Sequence, residues 1–180
     1  MSSFADRMLR AAKLDPEIYE EVEADQSATP QAAVVVVLSG LAAGVSGMAY
    51  TGDASGLIVG TLGALLGWVI WAALIWAIGT KLLPEDQTEA DVGQLLRTIG
   101  FAATPGILRA GGVIPGLGPI FVLVGSIWML VATVIGVRQA LDYKSTWRAV
   151  GVCVIGWVVL LVVQLLLMQI AGPANMPMNQ

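Results

Sequence analysis

The chain alternates between long stretches without charge and short charged ones. Residues 26–52, 54–80, 110–137 and 149–180 contain no Asp, Glu, Lys or Arg. A helix crossing the hydrocarbon core of a bilayer needs about 20 apolar residues, so each run has room for one span. The expected spans are 31–50, 57–79, 119–137 and 149–170. A fifth candidate, 96–113, is less regular. Arg97 and Arg109 frame a short charge-free stretch that fits either a short span or a re-entrant hairpin. Val92, Leu95, Leu96 and Ile99 recur at helical spacing. Thr88 followed by Asp91 has the spacing of a capping box, with Asp where Glu is usual. Thr104-Pro105 is expected to kink or break this helix, because proline offers no N–H. The carbonyl freed near Phe101 then needs a neighbouring helix or water. The glycines and prolines of 111–119 read as a tight loop.

Cations arbitrate between four and five spans, since cytoplasmic loops carry the excess of Lys and Arg. With five spans and the N-terminus inside, Arg7, Arg10, Lys13, Lys81, Arg97, Arg138, Lys144 and Arg148 lie inside and only Arg109 outside. If 96–113 does not cross, Arg138, Lys144 and Arg148 move outside, and the split becomes six against three. Tyr143 and Trp147 beside Lys144 and Arg148 fit an interfacial position. The expected architecture is therefore all-α: a polytopic bundle of five transmembrane helices over 31–171. A short tail, 172–180, lies outside and a segment, 1–30, lies in the cytoplasm. The first 30 residues hold no apolar core of signal-peptide type, so a later span is expected to direct insertion.

Segment 1–30 differs in kind from the rest. Phe4, Ala5, Met8, Leu9 and Ala12 share one helical face, and Arg7, Arg10 and Lys13 share another. This is the pattern of a basic amphipathic helix on an anionic membrane surface. Phe4, Arg7, Met8, Arg10 and Lys13 are its candidate lipid contacts. Asp15-Pro16 then opens a second, acidic helix, with Asp as N-cap and Pro at the first helical position. Its carboxylates lack EF-hand spacing and read as a solvated face.

Composition narrows the function. Hydrophobic residues make up 57%, charged residues 12%, and mean hydropathy is +0.80, whereas soluble domains carry roughly 25% charge. The net charge of −4 gives no reason to expect a nucleic-acid partner. There is no histidine, which removes the commonest general base and metal ligand. The single cysteine, Cys153, has neither a disulfide partner nor a base. No H-E-x-x-H, G-x-S-x-G or Walker A pattern occurs. Neither catalytic residues, metal ligands nor a cofactor are expected.

Three features inside the spans stand out. Gly40, Gly44 and Gly47 form one helical stripe, and Gly56, Gly60, Gly63 and Gly67 another. Small stripes let helix backbones approach closely. The short link between these two helices favours packing against each other over a homodimer seam. Arg109 is a candidate intramembrane charge, weighed against an arginine snorkelling to the outer interface. Gln164 and Gln169 suit hydrogen bonds between helices or a small polar cavity, and Gln164 joins Arg109 as a candidate polar site.

Ile99-Gly100-Phe101-Ala102-Ala103-Thr104-Pro105-Gly106-Ile107-Leu108, the span 123–137 with Trp128, and Val137-Arg138-Gln139-Ala140-Leu141 followed by Trp147-Arg148-Ala149-Val150 carry a resemblance. The region 79–158 resembles the Yip1-domain membrane proteins, in their short prokaryotic form. The resemblance implies a five-helix fold with a cytosolic N-terminus. Eukaryotic members carry an acidic-aromatic YGP-type motif and work with Rab GTPases. Asp15-Pro16-Glu17-Ile18-Tyr19 is acidic and aromatic but lacks that motif. The expected function is a non-enzymatic organiser or scaffold of the plasma membrane. Its expected partners are membrane lipids, further copies of itself or other membrane proteins. The alternative is a small transporter or channel built on the broken third helix.

Overall fold

The computed structural model describes residues 2–53 and 55–171, and among these it holds helices and no strand. The expected tail 172–180 lies outside the described residues, as do the surroundings of Gly56. Four helices are long and apolar enough to cross a membrane: Gln26–Ala49, Leu57–Leu82, Gly118–Ala140 and Thr146–Gln169. They belong to α3 (Thr29–Thr51), α4 (Ser55–Ala77), α6 (Gly118–Ala140) and α7 (Thr146–Ala171). Gly52 ends α3 in the left-handed region at φ 71°, donating its N–H to the Met48 carbonyl at 2.8 Å. A side chain at that φ would be strained.

The fifth expected span is not a continuous helix. It comprises α5 (Val92–Ala102) and a 3-10 stretch (Thr104–Val113). So the expected five spanning helices become four continuous ones and one broken segment. Proline is the cause of the break. Pro105 cannot donate to the carbonyl of Phe101, and the Thr104 hydroxyl, at 2.7 Å, donates there instead. The freed carbonyl is thus satisfied from within its own segment, not by a neighbouring helix. The helix then continues at the tighter 3-10 pitch. At about 1.5 Å per residue for 11 residues and about 2.0 Å for 10, the segment is roughly 36 Å long. Gly111 and Gly112 belong to this stretch and not to the loop beyond it.

Close approaches fix the direction of the broken segment. Cβ atoms placed on Gly100, Gly106 and Gly112 would meet Ala32 at 2.6 Å, Ser39 Oγ at 2.2 Å and Ser46 Oγ at 1.9 Å, respectively. The contacts climb α3 in order, so the segment runs parallel to α3. They descend α6, from Gly136 beside the Thr98 carbonyl to Phe121 beside Gly111, so it runs antiparallel to α6. Six residues make two turns of a 3-10 helix and seven make nearly two of an α-helix. That match aligns Gly106 and Gly112 with Ser39 and Ser46.

The capping box at α5 is made by Asp91 and Gln94, not by Thr88. The Asp91 carboxylate accepts from Gln94 N at 2.8 Å, and Gln94 Oε1 accepts from Asp91 N at 2.6 Å. Thr88 instead donates to the Leu141 carbonyl at 3.1 Å, tying the α4–α5 connection to the end of α6.

Two short helices, α1 (Phe4–Ala12) and α2 (Pro16–Ala24), pack onto the bundle at the end where the charges collect. Asp15 caps α2 with Pro16 at its first position, as the sequence implies. Tyr19, Ile18 and Val22 are fully buried in one core cluster with Phe101, Ala102 and Ala132. A second cluster joins Ile75, Leu95, Val137, Leu141, Tyr143 and Val152 from α4, α5, α6 and α7.

Candidate functional site

Arg109 lies on the 3-10 stretch, and its side chain turns back into the bundle. Nε donates to the Gly106 carbonyl at 3.0 Å, and Nη2 donates to Ser39 Oγ at 2.9 Å and to the Ser39 carbonyl at 3.2 Å. Ser39 is buried near the middle of α3. The guanidinium therefore sits at mid-depth, and the expectation that it snorkels to the outer interface is corrected. The 3-10 turn explains this geometry: with three residues per turn, Gly106, Arg109 and Gly112 share the face toward α3. No carboxylate among the described residues forms an ion pair with Arg109, and its Nη1 has no acceptor among them.

Two cavities meet at this arginine. The larger, of about 620 Å³, is bounded by α3, α4, the broken segment, α6 and α7. Trp68, Trp71 and Trp157 line it together with Ile127, Leu130 and Leu160, and Ser39, Ser126 and Thr133 add hydroxyls. The smaller, of about 360 Å³, runs between α3 and α4 past Gly40, Gly44, Gly47, Gly60 and Ala64 to Asp53. Arg109, Gly40 and Ala64 border both.

The glycine stripes divide accordingly. Gly40 and Gly44 face Ala64 and Leu57 of α4, where added Cβ atoms would fall at 3.1 Å from Ala64 Cβ and 2.8 Å from Leu57 Cδ2. Gly47, Gly60, Gly63 and Gly67 would meet nothing within 4 Å. The two stripes do not face one another. Leu57, Thr61 and Ala64 form the α4 side of that contact, while Gly60 and Gly67 border cavities. The tight glycine seam is the one between α3 and the broken segment.

At the charged end, the residues expected to lie on lipid turn inward. Arg7 is 3% exposed and pairs with Glu21 at 3.0 Å and Asp25 at 2.7 Å. Arg10 pairs with Asp15 at 2.7 Å and Glu21 at 3.0 Å. Phe4 meets Phe101 edge-on at 6.3 Å, and Met8 packs on the same cluster. Ala5, Leu9 and Lys13 stay exposed. Asp15, Glu21 and Asp25 thus serve as counter-charge to α1, while Glu17 and Glu20 keep a solvated face. The Arg10 guanidinium holds the Asp15 carboxyl below its usual range. The Ser2 hydroxyl, with help from Arg7 and Arg10, does the same to Glu21.

A family model described as Yip1 domain matches residues 16–168. The chain belongs to the Yip1-domain family. No curated protein and no solved structure matches it. The matched region of this Yip1-family chain opens at Pro16, the first residue of α2, so the buried cap helix α2 is part of the domain and α1 is added to it. With its apolar helices, the protein is a multi-pass membrane protein.

Two further features concern this Yip1 domain. From Trp157 to Gln169 every residue of α7 is exposed. Gln164 lies in that stretch and bonds no other residue among those described, so the expected glue between helices joins nothing among them. At the charged end the α4–α5 and α6–α7 connections are tied together. Tyr143 donates to the Gly79 carbonyl at 3.1 Å and the Leu83 carbonyl at 2.8 Å, and Arg148 pairs with Glu85 at 3.1 Å. Sequence reasoning missed Ser39 and Trp68, Trp71 and Trp157 as lining of one site. The available signal was the heptad spacing of Ala32, Ser39 and Ser46, small residues that match Gly100, Gly106 and Gly112.

Proposed function

We propose that this Yip1-family protein is a non-enzymatic organiser of the plasma membrane that works by self-association through α7, with its charged end in the cytoplasm. The observation that supports this reading is the outer half of α7. Thirteen consecutive residues, 157–169, are all exposed, and Gln164 stands among them without a bond to another described residue. An amide in hydrocarbon seeks a partner, and one that both donates and accepts can pair with its own copy across a two-fold axis. The test is native mass measurement in lipid discs. A dimer that becomes a monomer in Gln164→Leu supports the reading, and a wild-type monomer at every protein-to-lipid ratio overturns it. The orientation follows from the cation tally and is tested separately, in a Cys153-free background. A cysteine at Ser145 should label only from the cytoplasmic side and one at Leu117 only from outside.

A second reading, a small transporter, is favoured by the broken segment and the mid-depth Arg109. Purified protein in sealed vesicles should then move an anion across the bilayer, and Arg109→Gln should abolish the flux. Absence of flux for organic and inorganic anions alike would remove this reading.

A further inference from the structure

We propose that the cavity at Arg109 is a binding site for a single-chain lipid acid, whose carboxylate pairs with the guanidinium and whose chain fills the tryptophan-lined space. This goes beyond the self-association reading and rests on Arg109 and its cavity, not on Gln164. A cation inside a membrane protein, with no carboxylate among the described residues in an ion pair with it, is left uncompensated. The two serine bonds and the Gly106 carbonyl hold the guanidinium in place without neutralising it. Nη1 has no acceptor among the described residues, and the side chain borders both cavities. An anion placed there would complete the set with a charge-assisted bond.

The shape selects the rest of the ligand. The larger cavity, about 620 Å³, falls within the range of about 300–1,000 Å³ typical of small-molecule sites. Its walls are mainly apolar, with Trp68, Trp71 and Trp157 on the α4 and α7 sides. An acyl chain meets those needs, and inorganic anions do not. Depth excludes a bulky headgroup. Ser39 stands ten residues from the start of α3, so the guanidinium lies roughly 15 Å from that end. A carboxylate is the smallest anionic head that reaches such a depth. The narrower cavity past Gly44, Gly47 and Gly60 reaches Arg109 from the opposite end, near Asp53.

The three tryptophans make the site its own reporter. The full-length protein in detergent or lipid discs is titrated with a dibrominated C18 fatty acid, and Trp emission is followed. Saturable quenching is expected. Arg109→Gln should raise the half-saturating concentration by about tenfold or more, the scale of a lost charge-assisted contact. The methyl ester of the same acid should not saturate. Gly67→Leu, whose added side chain enters open cavity space, should lower the quenching amplitude in a protein that still unfolds cooperatively. Three results overturn the proposal: equal quenching by acid and ester, unchanged affinity in a folded Arg109→Gln protein, or Arg109-dependent saturation by a dibrominated phosphatidic acid and not by the free acid.

Discussion

The two ends of this bundle are built on opposite terms. At the charged end, α1, α2 and the connections after α4 and α6 close over the helices. Buried side chains there are large, as with Tyr19, Phe101 and Leu141. The backbone groups freed at helix ends find partners: Arg97 binds the Val22 carbonyl at 3.0 Å and the Glu23 carbonyl, and Trp76 Nε1 donates to the Ala90 carbonyl at 2.9 Å. At the apolar end the outer half of α7 is exposed, and Gly47, Gly60 and Gly63 adjoin open space. Stability is therefore concentrated at one end, and room for ligands and other chains at the other. This is the division expected when local opening and binding draw on the least packed parts of a fold.

The largest expected effect tests that division directly. Tyr19 is fully buried and donates to the Ala11 carbonyl at 3.2 Å. Tyr19→Ala should cost about 3–5 kcal/mol, the range for emptying a buried aromatic site. Leu166→Ala, on exposed α7, should lie within about 0.5 kcal/mol of wild type. Thermal unfolding in one lipid composition measures both. Similar losses for the two would end the comparison.

A pair of glycines sharpens it. A Cβ on Gly100 would fall 2.6 Å from the Cβ of Ala32 and 3.2 Å from its backbone, so α3 and α5 would have to separate. Gly100→Leu should cost at least about 1–3 kcal/mol, the range for overpacking. Gly63→Leu enters open space and should leave thermal stability unchanged. A stability loss in Gly63→Leu as large as that in Gly100→Leu would restore the opposed stripes that the sequence implies.

Those glycines also mark what was legible beforehand. The charge-free runs located four spans to within a few residues, because hydrophobic length is a one-dimensional property. The break at Thr104-Pro105 was readable for the same reason: proline acts on its own backbone. What a helix faces is not one-dimensional. Gly60 and Gly63 match Gly44 and Gly47 in spacing, but the rotation of α4 presents Leu57, Thr61 and Ala64 instead. A 3-10 pitch over 104–113 changes which residues share a face, and so Arg109 turns inward. Likewise Arg7 and Arg10 have the periodicity of a lipid-binding face. The counter-charges that capture them come from α2, and periodicity within α1 cannot report on that.

The smallest expected effect comes from a single carboxyl at the charged end, and its sign is fixed. Glu23 is buried, with Oε1 accepting from Gln94 at 3.0 Å and Oε2 unpartnered. Burial first, then Glu20 on its own helix and Asp142 beyond α6, raise its pKa to about 7; Arg97 opposes this, and Asp91 adds to it. A carboxyl raised above its ordinary value near 4.5 binds its proton more tightly when folded. Its contribution to stability is thus complete below about pH 4.5 and fades as pH rises through about 7. The carboxylates of Asp15, Asp25 and Glu21 are shifted down and act oppositely, supporting the fold above their unfolded values and losing that effect in acid. Between pH 5.5 and 8 those three are already ionised, so Glu23 alone of the four sets the slope. Wild-type melting temperature should fall across this window, and Glu23→Gln, which keeps the amide bond to Gln94 and no charge, should flatten the curve. An equal slope in wild type and Glu23→Gln would mean that the carboxyl at the charged end is solvated, and that this end is less tightly closed than its buried side chains imply.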